Sequence, residues 1–203
     1  MTELTKDGID ARRRIVEQCT YLAKAAASLS IVEILLAVKR SMDDKSILIH
    51  GKHSYHNDIA AYREGFRSGL YSAYGDKKIF EIVETSYLRT GAFWETLMAC
   101  KQYKSDNVRL IIDFHESQLP LHRTSLEKIV MYAGWAVTCV DGHNIQHIVD
   151  AFDWADTLSL PALVIASTVY GRGVHFLADA EPIHRHATPD EIQLALSDLN
   201  EAR

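Results

Sequence analysis

Apolar residues recur at helical spacing over residues 9–28, with Ile15, Cys19, Leu22 and Ala26 on one stripe, and this predicts a first helix. A second is predicted from about residue 30 to 42, where Ser30-Ile-Val-Glu33 has the spacing of a capping box. The pattern then changes. Short β-type runs come at 46–50, 78–85, 108–114, 135–140 and 161–168, and helical patterns over 91–105, 125–133 and 144–158 lie between them. A last helix begins at Thr188-Pro-Asp-Glu191, which offers an N-cap, a proline in the first turn and a reciprocal glutamate. Strands alternating with helices predict an α/β fold, a mainly parallel sheet covered on both faces, as one domain over 1–203. Ligands of such sheets bind beyond the carboxyl ends of the strands, which directs attention to 84–87, 113–118, 141–144 and 168–173.

Composition narrows the class of function. The 203 residues are 47% apolar and 24% charged, enough to bury a core, and the net charge of −5 comes from interspersed acids and bases. Without a basic face, neither nucleic acid nor an anionic membrane is an expected partner. Cys19, Cys100 and Cys139 are odd in number and far apart in apolar surroundings, so they are expected as small buried hydrophobes in a reducing compartment. No apolar run approaches the ~18 residues of a membrane span, and Met1-Thr2-Glu3 does not open a signal segment; a soluble, cytoplasmic protein is expected.

Ten histidines raise the question of zinc, with His50, His53 and His56 at three-residue spacing and His143 with His147 at i, i+4. Zinc needs three or four convergent ligands, and neither set is completed in the sequence. Gly51-Lys52 lacks the glycine-rich approach of a phosphate loop, and there is no nucleophile elbow.

One stretch is more specific. Gly134-Trp-Ala-Val-Thr-Cys-Val-Asp-Gly-His143-Asn144, a helix, and then Pro161-Ala-Leu-Val-Ile-Ala-Ser-Thr168-Val-Tyr-Gly171-Arg-Gly173 resemble the Asp-Gly-His and Thr-x-x-Gly-x-Gly segments of transketolases in order and spacing. Ser28–Leu35 and Gly91–Val108 are similar to two helices of the same family's first, diphosphate-binding half. The segment between Ser54 and Lys77 is shorter than its counterpart, and the pyrimidine-binding second half has no counterpart here. The resemblance implies thiamine diphosphate with Mg²⁺ as cofactor and transfer of a two-carbon ketol unit. It also implies a separate second-half (transketolase C-terminal-like) subunit, in a homodimer or heterotetramer. The alternative is a non-catalytic pseudo-subunit that keeps the fold for assembly or regulation.

The family's metal motif is altered. Its Gly-Asp-Gly turn falls on Glu84-Thr85-Ser86, followed by Tyr87, and its metal-binding asparagine falls on His115. Magnesium prefers oxygen ligands, so imidazole is a poor substitute, and Glu84, Asp113 and Glu116 are the carboxylates that could replace the missing ones. The early Gly-His-Pro-Gly turn falls near Leu22-Ala-Lys24-Ala, which is helix-forming, and the Lys-Gly-His segment falls on His50-Gly51-Lys52. His184 matches a histidine of the family that follows the Gly-x-Gly turn and is the candidate catalytic residue, although Arg185 replaces the glycine after it. Gly171, Gly173, His143, Thr85 and His115 are the candidate cofactor-binding positions, and for His143 a capping role at the 144–158 helix is the competing expectation.

Overall fold

A computed structural model describes residues 4–50, 77–115, 122–178 and 180–201. The first predicted helix is two. Helix α1, Lys6–Gln18, opens where the Thr5 hydroxyl accepts from the Gly8 amide at 3.2 Å, and α2 spans Leu22–Ser30. The break has a tertiary cause: segment 183–187 crosses it antiparallel. Leu22 and Ala23 donate their amides to the carbonyls of Arg185 and Ile183, at 3.0 and 3.1 Å, and Ala187 donates to Thr20 at 2.7 Å. Amide groups orphaned at the start of α2 thus find partners in a distant segment.

Helix α3, Val32–Ser41, starts without a side-chain cap, so the expected Ser30–Glu33 capping box does not form. Both polar side chains point into the molecule, where they meet partners described below. The remaining elements follow the predicted alternation. They are β1 (Ile47–His50), β2 (Ile79–Glu84), a 3₁₀ turn (Thr85–Arg89), α4 (Gly91–Tyr103) and β3 (Val108–Phe114). Then come α5 (Arg123–Tyr132), β4 (Ala136–Asp141), α6 (Ile145–Asp156), β5 (Ala162–Ser167) and α7 (Pro189–Glu201). The capping box at α7 forms as predicted, with Glu191 N–H donating to Thr188 Oγ1 at 3.2 Å and Thr188 N–H to Glu191 Oε2 at 2.8 Å.

Among the described residues five strands form one parallel sheet, in the order β1-β2-β3-β5-β4. Strands β2, β3 and β5 are buried on both faces, which explains why they read as unbroken apolar runs. One face packs Val83, Leu110 and Ile112 against Phe93 and Leu97 of α4 and Leu126 of α5. The other packs Phe80, Ile111 and Val164 against α3 and against Ile148 and Phe152 of α6. A third cluster joins α1, α2 and α7 through Val16, Leu29, Val174 and Leu199. Because β4 lies outside β5, the chain leaves β3, skips a strand and returns. The crevice above the ends of β3 and β5 is therefore where the sheet's connections diverge, the place such folds use for ligands.

Candidate functional site

The crevice is polar where the sheet beneath it is apolar. Asp113, near the end of β3, is 1% exposed, and its carboxylate is surrounded. Ser30 Oγ donates to Oδ2 at 2.8 Å, the Thr168 hydroxyl donates to Oδ1, and His115 Nε2 lies 3.2 Å from Oδ2. The other His115 ring nitrogen, Nδ1, is 3.2 Å from Thr168 Oγ1. The ring stands perpendicular to Tyr170 at 5.6 Å, and Tyr170 donates its hydroxyl to the Ala23 carbonyl at 2.8 Å. Burial disfavours charge on His115, but the hydrogen bond to Asp113 and the nearby charges of Asp113 and Glu84 outweigh it and raise its pKa.

Thr85 completes the wall. Its hydroxyl donates to the Asp113 carbonyl at 2.7 Å and accepts from the His115 amide at 2.8 Å, tying β2 to the end of β3. Beside it, Glu84 is pushed up to about 7, chiefly by burial and then by the negative charge of Asp113, against smaller opposing effects of His115 and Ser86. The Ser86 hydroxyl reaches its carboxylate only at a long 3.5 Å.

A second network braces the crevice from below. Arg12, fully buried on α1, grips Glu33 of α3 with two nitrogens at 2.6 and 2.8 Å, and donates to the carbonyls of Arg172 and Leu29 at 2.9 and 3.1 Å. The Val169 amide donates to His143 Nε2 at 2.8 Å, so the ring proton sits on Nδ1 and points at Glu33 Oε2, 3.1 Å away. Although burial alone would raise it, the bonds from Arg12 and His143 hold Glu33 down at about 2. This network fixes the backbone that follows β5, and with it the hydroxyl of Thr168.

The expected residues therefore divide. Thr85 and His115 come together at the crevice. His143 does not cap α6; that role falls to Asn144, whose side chain accepts from Gln146 and His147 amides at 3.0 and 3.1 Å. Gly171 and Gly173 have φ of 70° and 92°, and a Cβ at Gly171 would overlap the Leu177 carbonyl, so their glycine character is used for internal packing. His184 is exposed on the segment crossing α2, its ring 6.5 Å from Tyr21, and no hydrogen bond joins it to the Asp113 group. Lys24 lies in α2, as the helix-forming sequence implies, whereas Gly51, Lys52, His53, His56 and Glu116 lie outside the described residues.

Of the cysteines only Cys100 is fully buried; Cys19, at the end of α1, and Cys139, on the edge strand β4, are half-buried, and all three are free. A cleft of about 720 Å³ opens along β4, lined by Arg123, Asp141, His147, Trp154 and Ser167; it includes neither Asp113 nor Glu84. Sequence reasoning missed Arg12, Ser30 and Glu33. For Arg12 the signal was a charge on the buried stripe of a helix, in line with Ile9 and Val16.

Among the described residues the donor set does not suit Mg²⁺. Both Asp113 oxygens and the Thr85 hydroxyl are engaged within the protein, His115 offers nitrogen, and Glu84 alone brings a carboxylate with a weak partner. Among the described residues no three His, Cys, Asp or Glu side chains converge as a metal site, which also leaves His143 and His147 without a zinc partner.

No protein-family model matches the chain. It is similar to an apulose-4-phosphate transketolase subunit of Actinobacillus succinogenes, with 30% identity over 151 residues that take in 70% of this chain and 51% of that protein. It is also similar to an uncharacterised transketolase family protein of Sinorhizobium fredii, with 31% identity over 134 residues, 62% of this chain and 45% of that one. The match thus spans about half the length of these relatives. In fold, it is similar to the transketolase of Campylobacter jejuni, with a TM-score of 0.67 at 14% identity over 97% of this chain and 43% of that one.

Proposed function

This chain is homologous to transketolase-family proteins over most of its length, and from that premise we propose that it is the diphosphate-side subunit of a two-chain transketolase-type enzyme. A separate pyrimidine-side subunit completes the cofactor site, in a heterotetramer or comparable assembly. The observation that carries this is the 30% identity over 151 residues with a relative whose own name makes it one subunit of a transketolase. The family implies thiamine diphosphate, which supplies the carbanion chemistry when bound, with a keto sugar or its phosphate as the two-carbon donor. Within this reading His184, exposed beside Tyr21, is the side chain that meets a substrate or diphosphate, and Thr85 and His115 form the crevice wall. His143, Gly171 and Gly173 shape the backbone after β5 that would hold the cofactor.

One observation favours a second reading, a non-catalytic pseudo-subunit: the family's metal-ligand positions are occupied here by side chains bonded to the protein itself. The two are separated by mixing the chain with its second-half partner, thiamine diphosphate, a ketose phosphate and an aldose phosphate, and following the two-carbon-extended product by mass spectrometry. Product formation that requires both chains supports the enzyme. A complex that assembles and yields none supports the pseudo-subunit.

A further inference from the structure

At the crevice where the resemblance places a divalent ion's ligands, the hydrogen bonds close on themselves, and we propose that His115, protonated on both ring nitrogens, stands in for the metal, so that no divalent cation is held there. Proton counting leads to this. Asp113 acts on Glu84 and His115 as a negative charge, and an ionised carboxylate accepts only, so the single proton of the Thr168 hydroxyl is spent on Asp113 Oδ1. Thr168 Oγ1 must then accept from His115 Nδ1, 3.2 Å away, which places a proton on that nitrogen. His115 Nε2 faces Asp113 Oδ2 at 3.2 Å, and only a second ring proton makes that contact attractive.

The arrangement is built in. Asp113 and His115 are 1% and 6% exposed, Thr85 fixes the His115 backbone, and the network of Arg12, Glu33, His143 and Val169 fixes Thr168. A single positive charge, turned inward onto one carboxylate, takes the place that the resemblance gives to a divalent ion. Anchoring of a diphosphate in the assembled complex then draws on groups outside this crevice, and Glu84 at its rim opposes a polyanion whenever it is ionised. The inference rests on the proposed function only for the location of the site; it is tested on this chain alone.

The test is ¹⁵N NMR of the full chain labelled at histidine, together with Mn²⁺ titration followed by electron paramagnetic resonance, using Mn²⁺ as the probe for Mg²⁺. The expected result is a His115 signal with both nitrogens protonated at neutral pH, no stoichiometric Mn²⁺ uptake at millimolar metal, and no broadening of the His115 signal. A neutral His115 tautomer, or one Mn²⁺ per chain that broadens His115 and is lost in His115→Ala, would overturn the proposal. Ketol transfer by the assembled pair could still stand in that case, and its failure would leave this result untouched.

Discussion

Glu84 and Glu33 are pushed in opposite directions by the fold, and each leaves a distinct mark on stability. Burial raises Glu84 to about 7, so the folded state prefers its neutral form. Its stabilising effect is complete below the ordinary carboxylate range and is lost as pH rises through about 7. With ~1.4 kcal/mol per pKa unit, the change is on the order of 1–3 kcal/mol. Thermal melts between pH 5 and 8 should show a decline that Glu84→Gln removes; an unchanged slope in the variant would assign the decline to other groups. Glu33, held at about 2 by Arg12 and His143, works the other way: its contribution is present above the ordinary carboxylate range and disappears as pH falls towards 2. Glu33→Gln leaves the buried Arg12 without its countercharge and should cost about 3–5 kcal/mol in urea unfolding at pH 7. His184→Ala, by contrast, should lower turnover of the assembled pair at least tenfold and leave the isolated chain's melting temperature within about 2 °C, because an exposed side chain contributes little to the core. Unaltered turnover would remove His184 from the site.

At the scale of elements, the last third of the chain was legible because its signals are local. Asn144 caps α6 and Thr188 with Glu191 caps α7 through side chains within three residues of the bond they make, and Asn144→Ala should cost about 1 kcal/mol by the same unfolding measurement. The helix predicted over 9–28 was read as continuous because what divides it, segment 183–187, is more than 150 residues away in sequence and leaves no local trace. Ser30 and Glu33 had the spacing of a cap, yet Asp113 and Arg12 claim them, since a buried charge without a partner costs more than an uncapped helix end. The altered metal turn offers a test by restoration. Combining Glu84→Gly, Thr85→Asp, Ser86→Gly and His115→Asn removes the internal cation and returns oxygen donors. The isolated quadruple variant should then gain Mg²⁺-dependent binding of thiamine diphosphate, worth about 2.7 kcal/mol at a hundred times its dissociation constant. The wild-type chain should show no comparable melting shift.

For the whole molecule, the parallel sheet was predictable from the alternation of apolar runs with helical patterns, but the strand order was not, because it depends on β5 entering between β3 and β4. That insertion creates the crevice and brings Thr168 to Asp113, residues 55 apart in sequence. The resemblance to transketolases identified the family and the ends of the strands to search. It did not show that Asp113, Ser30 and Thr168 would surround His115, since those bonds depend on three separate elements meeting. The chain is proposed to form one side of a shared site. The most direct test of that account is light scattering coupled to size-exclusion chromatography of the chain co-expressed with a second-half transketolase-type protein as the proposed partner. A single peak containing both chains, with the mass of a heterotetramer or another fixed ratio, is predicted; a monomer that elutes apart from that protein at high concentration would contradict it.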